Sequence, residues 1–343
     1  MPNSRALPRS PPSGHPPGAK SRLTEKAWWP WLKRGVSAVF FVLVGYLLVS
    51  QARTIEWGKV LLSLQHYPLT AVGGAVALAA ASFALYSCFD LLGRHYTGHT
   101  LGTTRVMTIT FVSYAFNLNL GSVIGGVALR YRLYSRLGLG LGVITRVTSL
   151  SMLANWMGYL LLAGLVFGLQ PPGLPAAWGL GALQLRLMGA GLLALALAYL
   201  GACAFSRQRT VHLRGHAVEL PSVQLAGLQL TMGAANWLLM SGILFVLLGQ
   251  RVDFFSVTGV LLLAAIAGVI SHVPGSLGVL EAVFVALLSP RLPAHEVLAA
   301  VVAYRIVYYF VPLGIAILVY LLLEARAHQP ARPAGAAVKR GDQ

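Results

Sequence analysis

The feature that most limits how this chain can fold is a series of long apolar runs. They lie at about 35–50, 68–91, 106–129, 147–168, 179–205, 222–249, 254–289 and 297–323. Most reach the ~20 residues that an α-helix needs to cross a ~30 Å hydrocarbon core. Charged residues make up 10% of the chain and the mean hydropathy is +0.71, against roughly 25% charge in soluble domains. The sequence is that of an all-α integral membrane protein. Its net charge of +17 is not a nucleic-acid signature. The basic residues cluster in the short segments between apolar runs, as the positive-inside rule requires, so their partner is the anionic membrane surface.

The composition divides the chain into three parts. Residues 1–24, rich in Pro, Ser, Gly and Arg, predict a disordered basic tail. Residues 25–326 form the polytopic domain, opened by "WWPWLKR" (28–34), whose Trp residues beside Lys and Arg suit the membrane interface. Residues 327–343 predict a second disordered tail. No small-x-small cleavage site follows the first run, so a cleaved leader is not expected. Cys88 and Cys203 each sit inside an apolar run and read as packing residues. His95/His99 and His212/His216 have i, i+4 spacing but lack the acid of a zincin pattern, and no GxxxxGK loop is present. Neither a metal nor a cofactor is expected.

Charge placement constrains the topology. With the N-terminus cytoplasmic, a third run that spanned would put Arg130, Arg132, Arg136 and Arg146 outside and the Lys/Arg-free "QPPGLPAAWG" inside. That inverts the positive-inside rule. The conflict disappears if run 106–129 is a re-entrant helical hairpin breaking near "NLNLGS" (117–122). Run 254–289, too long for one span and short for two, breaks likewise at Pro274-Gly275. With about six full spans and these two hairpins, 20 Lys/Arg are cytoplasmic, four are external and two, Arg186 and Arg305, lie within the membrane. Both termini are then cytoplasmic.

The two hairpins also recur at a fixed spacing. Offsets near 150 relate span to span and break to break, and both breaks read Gly-Ser, at Gly121-Ser122 and Gly275-Ser276. This predicts an inverted repeat over about 35–168 and 179–323, a transporter design whose site lies where the broken helices meet. Each return arm starts a helix at Gly-Ser, where Ser could cap it and free N–H groups favour an anion. The plain alternative is that the glycines only let helices pack closely. Glu281 and Arg305 are expected partners, because a lone charge at such depth costs at least ~2.5–3.5 kcal/mol. Asp90 is placed to pair with Arg130 or Arg132.

At "NLNLGSVIGGVALRYRLYSRLGL" (117–139) and "HVPGSLGVLEAVF" (272–284) the chain resembles the YbhN-like family of bacterial membrane proteins. That family is related to the flippase domain of lysylphosphatidylglycerol synthase. Its usual pattern at the second segment is Pro-Gly-Gly-x-Gly-x-x-Glu, and Ser276 stands here in place of the second Gly. The resemblance implies a lipid-translocating domain of the bacterial inner membrane, without the synthase's soluble aminoacyl-transferase domain, and so no enzyme. The expected headgroup site comprises Asn117, Asn119, Gly121, Ser122, Arg130 and Arg132 from the first hairpin, and Pro274, Gly275, Ser276, Gly278 and Glu281 from the second, with Arg305. The expected ligands are anionic phospholipids. The alternatives are a membrane-embedded headgroup-modifying enzyme and a non-transporting scaffold for a lipid-synthesis partner.

Overall fold

The computed structural model describes residues 67–327 apart from 176–177, 180, 207–209 and 214–215, with isolated positions at 58, 62 and 65. The expected tails, 1–24 and 327–343 apart from the helical Ala327, and the expected first span, 35–50, lie outside the described residues. Helix α1 (Leu69–Ser87) continues through Cys88 into α2 (Phe89–Thr97). Then come α3 (Thr103–Leu120), a π-helical segment Ser122–Ala128, α4 (Leu129–Arg136), α5 (Leu141–Leu169) and α6 (Ala182–Phe205). Strands β1 (Thr210–Leu213) and β2 (His216–Glu219) pair antiparallel. They are followed by α7 (Val223–Leu247), α8 (Phe254–Ser271), a short 3-10 turn Pro274–Ser276 and α9 (Val279–Leu288). The last span is α10 (Ala294–Arg305), a π-helical segment Ile306–Phe310 and α11 (Val311–Ala327).

Among the described residues, six helical stretches are long and apolar enough to cross a membrane. Five coincide with expected spans: Leu69–Thr97, Leu141–Leu169, Ala182–Phe205, Val223–Leu247 and Ala294–Ala325. The sixth is Phe254–Ser271, which the sequence placed in the entering arm of the second hairpin. The β1–β2 hairpin falls in the short segment between the apolar runs 179–205 and 222–249. Its register pairs Val211 with Val218 and Thr210 with Glu219.

Helices α5 and α7 pack together at the centre of the bundle, α7 also against α1, and α5 also against α6 and α2. Glycine sets the closest approaches. A Cβ on Gly158 of α5 would overlap the Gly233 backbone of α7, and one on Gly233 would overlap the Ala154 carbonyl. Gly164 and Gly189 bring α5 and α6 together in the same manner. Membrane helices gain little from burying apolar surface that lipid would cover equally well, so close backbone packing carries much of the association. Gly93 of α2 sits against α5, where its Cβ would lie 2.8 Å from the Val147 Cα. That contact aims Asp90, one turn earlier, towards α5.

Gly233→Leu should therefore force α5 and α7 apart at a cost of ~1–3 kcal/mol. Gly227→Ala, in the same helix with open space around it, should cost nothing measurable. Thermal unfolding in detergent should show a midpoint lowered by at least ~3 °C for the first variant only. Equal midpoints would mean that this crossing does not hold the bundle.

Candidate functional site

The first chain break follows α3. Gly121 has φ +86, a conformation that glycine adopts at little cost and other residues resist. The chain then doubles back, and a Cβ on Gly125 would overlap the Phe116 backbone. Asn119 holds the tip in place. Its Nδ2 donates to the Ala115 carbonyl at 2.9 Å and to the Tyr309 carbonyl of the last span at 3.2 Å. Asn117 Oδ1 is buried without a partner, 2.9 Å from where a Gly126 Cβ would be.

The second break is more strained. His272, Gly275, Ser276 and Gly278 all have positive φ, between 50° and 77°. For the two non-glycine residues this costs ~1–2 kcal/mol each. One side chain from the last span holds the turn. Arg305 is buried; its Nη1 donates to the Gly275 carbonyl at 2.8 Å and its Nη2 to the Ser276 carbonyl at 2.8 Å. Nε and Nη2 also grip the Glu281 carboxylate, Nη2 at 3.0 Å. The guanidinium carbon lies 5.2 Å from the centre of the Tyr309 ring. Four N–H donors are thus engaged of the five a guanidinium has. Glu281 sits in the first turn of α9, where its charge also suits the helix dipole.

The two breaks touch. A Cβ at Gly275 would lie 3.3 Å from the Asn119 carbonyl oxygen and 3.4 Å from that of Leu118. Asn119, Gly275, Ser276, Glu281 and Arg305 therefore form one constellation, with Pro274 and Gly278 in the same turn and Asn117, Gly121 and Ser122 at the facing tip. The expected serine caps are absent. Neither Ser122 nor Ser276 caps its return arm, and Ser276 Oγ instead packs on Gly268 of α8. The left-handed conformation at Ser276 turns its side chain back towards the entering arm.

Arg130 and Arg132 lie elsewhere. Arg130 is fully buried and pairs with Asp90, Nε to Oδ2 at 3.0 Å. It also donates to the Gly126 carbonyl at 3.2 Å and reaches Ser151 Oγ at 3.5 Å. Tyr134 OH donates to the same Asp90 oxygen at 2.8 Å, while Asp90 Oδ1 has no partner. Arg132 is half-exposed and, with Arg136, meets Glu324 at the end of the last span. Beyond the spans, burial and then the Arg94 charge lower the His99 pKa, against a weaker pull from Asp90. The described residues hold no cluster able to bind a metal.

A hydroxyl network that the sequence did not single out joins the elements between the two ion pairs. Ser82 donates to Asn236 Oδ1 at 2.7 Å and meets Tyr308 OH at 2.7 Å, and Tyr308 OH meets Tyr114 OH at 2.8 Å. Tyr114 stacks on Tyr86 at 3.5 Å, and Tyr304 stacks on Tyr308. The available signal was "YRIVYYF" (304–310), three tyrosines around an intramembrane arginine, together with Ser82 and Asn236 inside apolar runs.

The profile of the lysylphosphatidylglycerol synthase TM region matches residues 32–316. The chain belongs to that family. It is 44% identical to the inner membrane protein YbhN of Escherichia coli K12, over 87% of this chain and 94% of that protein. It is 35% identical to an uncharacterised Synechocystis protein, over 87% of this chain and 93% of that protein. A phosphatidylglycerol lysyltransferase of Staphylococcus haemolyticus matches at 34% identity, over 24% of this chain and 10% of the lysyltransferase. The family places the chain among membrane proteins related to a phospholipid-modifying synthase.

The Asp90–Arg130 pair should be structural within this family fold. Asp90→Ala leaves the Arg130 guanidinium uncompensated, at ~3–5 kcal/mol. Asp90→Ala with Arg130→Met should recover most of that loss. Folded yield and thermal midpoint in detergent are the readouts, and a double variant no better than the single would refute a simple stranded-charge account.

Proposed function

We propose that the protein translocates phospholipid between leaflets of the bacterial inner membrane, with the headgroup handled where the two helix breaks meet. The observation that carries this reading is the contact of Gly275 with the Leu118 and Asn119 carbonyls, two irregular backbones brought together inside apolar helices. Irregular backbone at membrane depth survives only when buried in protein or lining a wet cavity. Broken helices meeting near mid-membrane are how transporters of inverted-repeat design build their sites.

Each break offers two kinds of group. The ends of α3 and α8 present carbonyl oxygens, and the first turns of the return arms present N–H groups without intrahelical partners. A headgroup phosphate suits the latter. Arg305 and Glu281 act as positioning residues, because their bonds hold the second turn rather than point into open space. Arg130 positions the first return arm through Asp90 and Ser151. Asn117 Oδ1 is the free acceptor at the first tip.

The re-entrant reading of both hairpins is supported by their geometry. In each, an 18-residue arm reverses at a glycine-containing break, and the tips of the two touch. The 20-to-4 charge split supports a cytoplasmic location for both termini. Cysteines introduced at 139 and 173, beyond opposite ends of α5, should react with an impermeant reagent from opposite sides, 139 from the cytoplasm. Reaction of 139 from the outside would remove the first hairpin and the inverted repeat with it.

Transport itself is tested in liposomes by leaflet exchange of fluorescent phospholipids with several headgroups. Glu281→Gln and Arg305→Gln should each abolish exchange. The double variant should regain protein level, because no charge is stranded, and still not transport, because the Gly275 and Ser276 carbonyls have lost their donors. Exchange by the wild type no faster than in empty liposomes would favour a scaffold. Full exchange by the double variant would reduce the pair to a structural contact.

A further inference from the structure

Two helix crossings that an inverted repeat makes equivalent differ in this structure. The offset of 154 that takes Gly121 to Gly275 also takes the start of α1, Leu69, to the start of α7, Val223. It takes Ser82 to its own hydrogen-bond partner Asn236, the arrangement expected on a twofold axis. The same offset takes Ala79 to Gly233 and Gly158 to Pro312. At Gly158 and Gly233, helices α5 and α7 touch backbone to backbone. At the equivalent crossing, α1 and the last span meet through the side chains of Ser82, Phe83 and Tyr308 rather than backbone to backbone, and Ala79 and Pro312 both line a groove of about 550 Å³. Phe111 of α3 lines the same groove, and Phe83 in its wall packs on Tyr114 and Tyr308.

We infer that this groove is an open lateral gate that holds one acyl chain of a membrane phospholipid, and that the Gly158–Gly233 crossing is its closed counterpart. The inference rests on the translocation reading above and names where the lipid tail lies. Three observations commit the groove to an acyl chain. It lies between helices that cross the membrane, so its surrounding medium is hydrocarbon. Its two hydroxyls offer no free donor to a headgroup phosphate, because Ser87 donates to the Phe83 carbonyl and Thr108 to the Thr104 carbonyl of their own helices. Its wall from Val307 to Val319 is ~18 Å long, comparable with half of the ~30 Å hydrocarbon core and so with the chains of one leaflet.

The test uses the full-length protein in liposomes containing a phospholipid with a photoreactive diazirine in its acyl chain, with labelled residues located by mass spectrometry. Val311 and Ile315, at 52% and 49% exposure, should label several-fold more than Leu195 and Leu197 of α6, at 58% and 55%. Ala84→Trp places an indole in the groove from an exposed position. It should cut groove labelling about tenfold while leaving α6 labelling unchanged. Ala80→Trp is the second variant should the first fold poorly. Equal labelling of both faces, or labelling insensitive to either tryptophan, would mean ordinary boundary lipid and overturn the inference. A disulfide between Ile315→Cys and a cysteine placed within residues 35–50 would give the groove to the chain itself, with the same result. Because labelling is read without transport, groove labelling in a protein that moves no lipid would sink the translocation proposal alone. Transport without selective groove labelling would sink this one alone.

Discussion

The structure depends on one guanidinium. Arg305 lies inside the last span, where an unpaired charge is costly on every scale. The second break exposes two carbonyls inside an apolar hairpin, where an unbonded backbone group costs several kcal/mol. Each liability answers the other. The carbonyls of Gly275 and Ser276 take two donor groups, Glu281 takes the charge, and the ring of Tyr309 covers a face. Arginine suits this role because its planar fork presents donors in several directions at once, where a lysine offers a single compact charge. Remove the arginine and the turn loses its only side-chain donor to those carbonyls among the described residues. Remove the turn and the arginine loses half of its bonds.

The same logic is repeated in the first half with different parts. Its break needs only one left-handed residue, Gly121, and is held by the amide of Asn119 rather than by a charge. The charge lies further along the return arm, where Arg130 ties that arm to α2 through Asp90 and to α5 through Ser151. In both halves a buried arginine thus links a return arm to a span. Between these two fixed points lies a layer of hydroxyls on Ser82, Tyr114 and Tyr308, closed by Asn236.

How much of this the sequence revealed follows from what membrane depth penalises. Spans, breaks and the Glu281–Arg305 pair were legible because proline, glycine and charge are conspicuous in an apolar run. The Asp90–Arg130 contact was legible as one of two choices, since periodicity does not say which of Arg130 and Arg132 faces inward. The serine caps were misjudged because the left-handed conformation at Ser276 turns its side chain onto Gly268 of α8, and α9 begins only at Val279 with Gly278 before it. The tyrosine layer passed unnoticed because tyrosine is common at membrane interfaces, and only the fold shows that Tyr114, Tyr304 and Tyr308 are buried. The β1–β2 hairpin is a four-residue alternation, too short for periodicity to separate from a loop.

These interactions restrict how the molecule can move. Separating Arg305 from Glu281 or from the second turn would strand a charge and two carbonyls together, so the last span and the α8–α9 hairpin must travel as one body. Asp90 and Arg130 impose the same bond on α2 and the first return arm. The hydroxyl layer imposes none of comparable strength. Neutral hydrogen bonds contribute ~0.5–1.5 kcal/mol each, and a hydroxyl that both donates and accepts finds a new partner after a small rotation. The glycine contacts at 158 and 233 are likewise van der Waals contacts that lose little individually when they slide. On the translocation proposal, motion between leaflet-facing states falls on the hydroxyl layer, the α5–α7 crossing and the groove between α1 and the last span, with the two arginine clamps carried along intact.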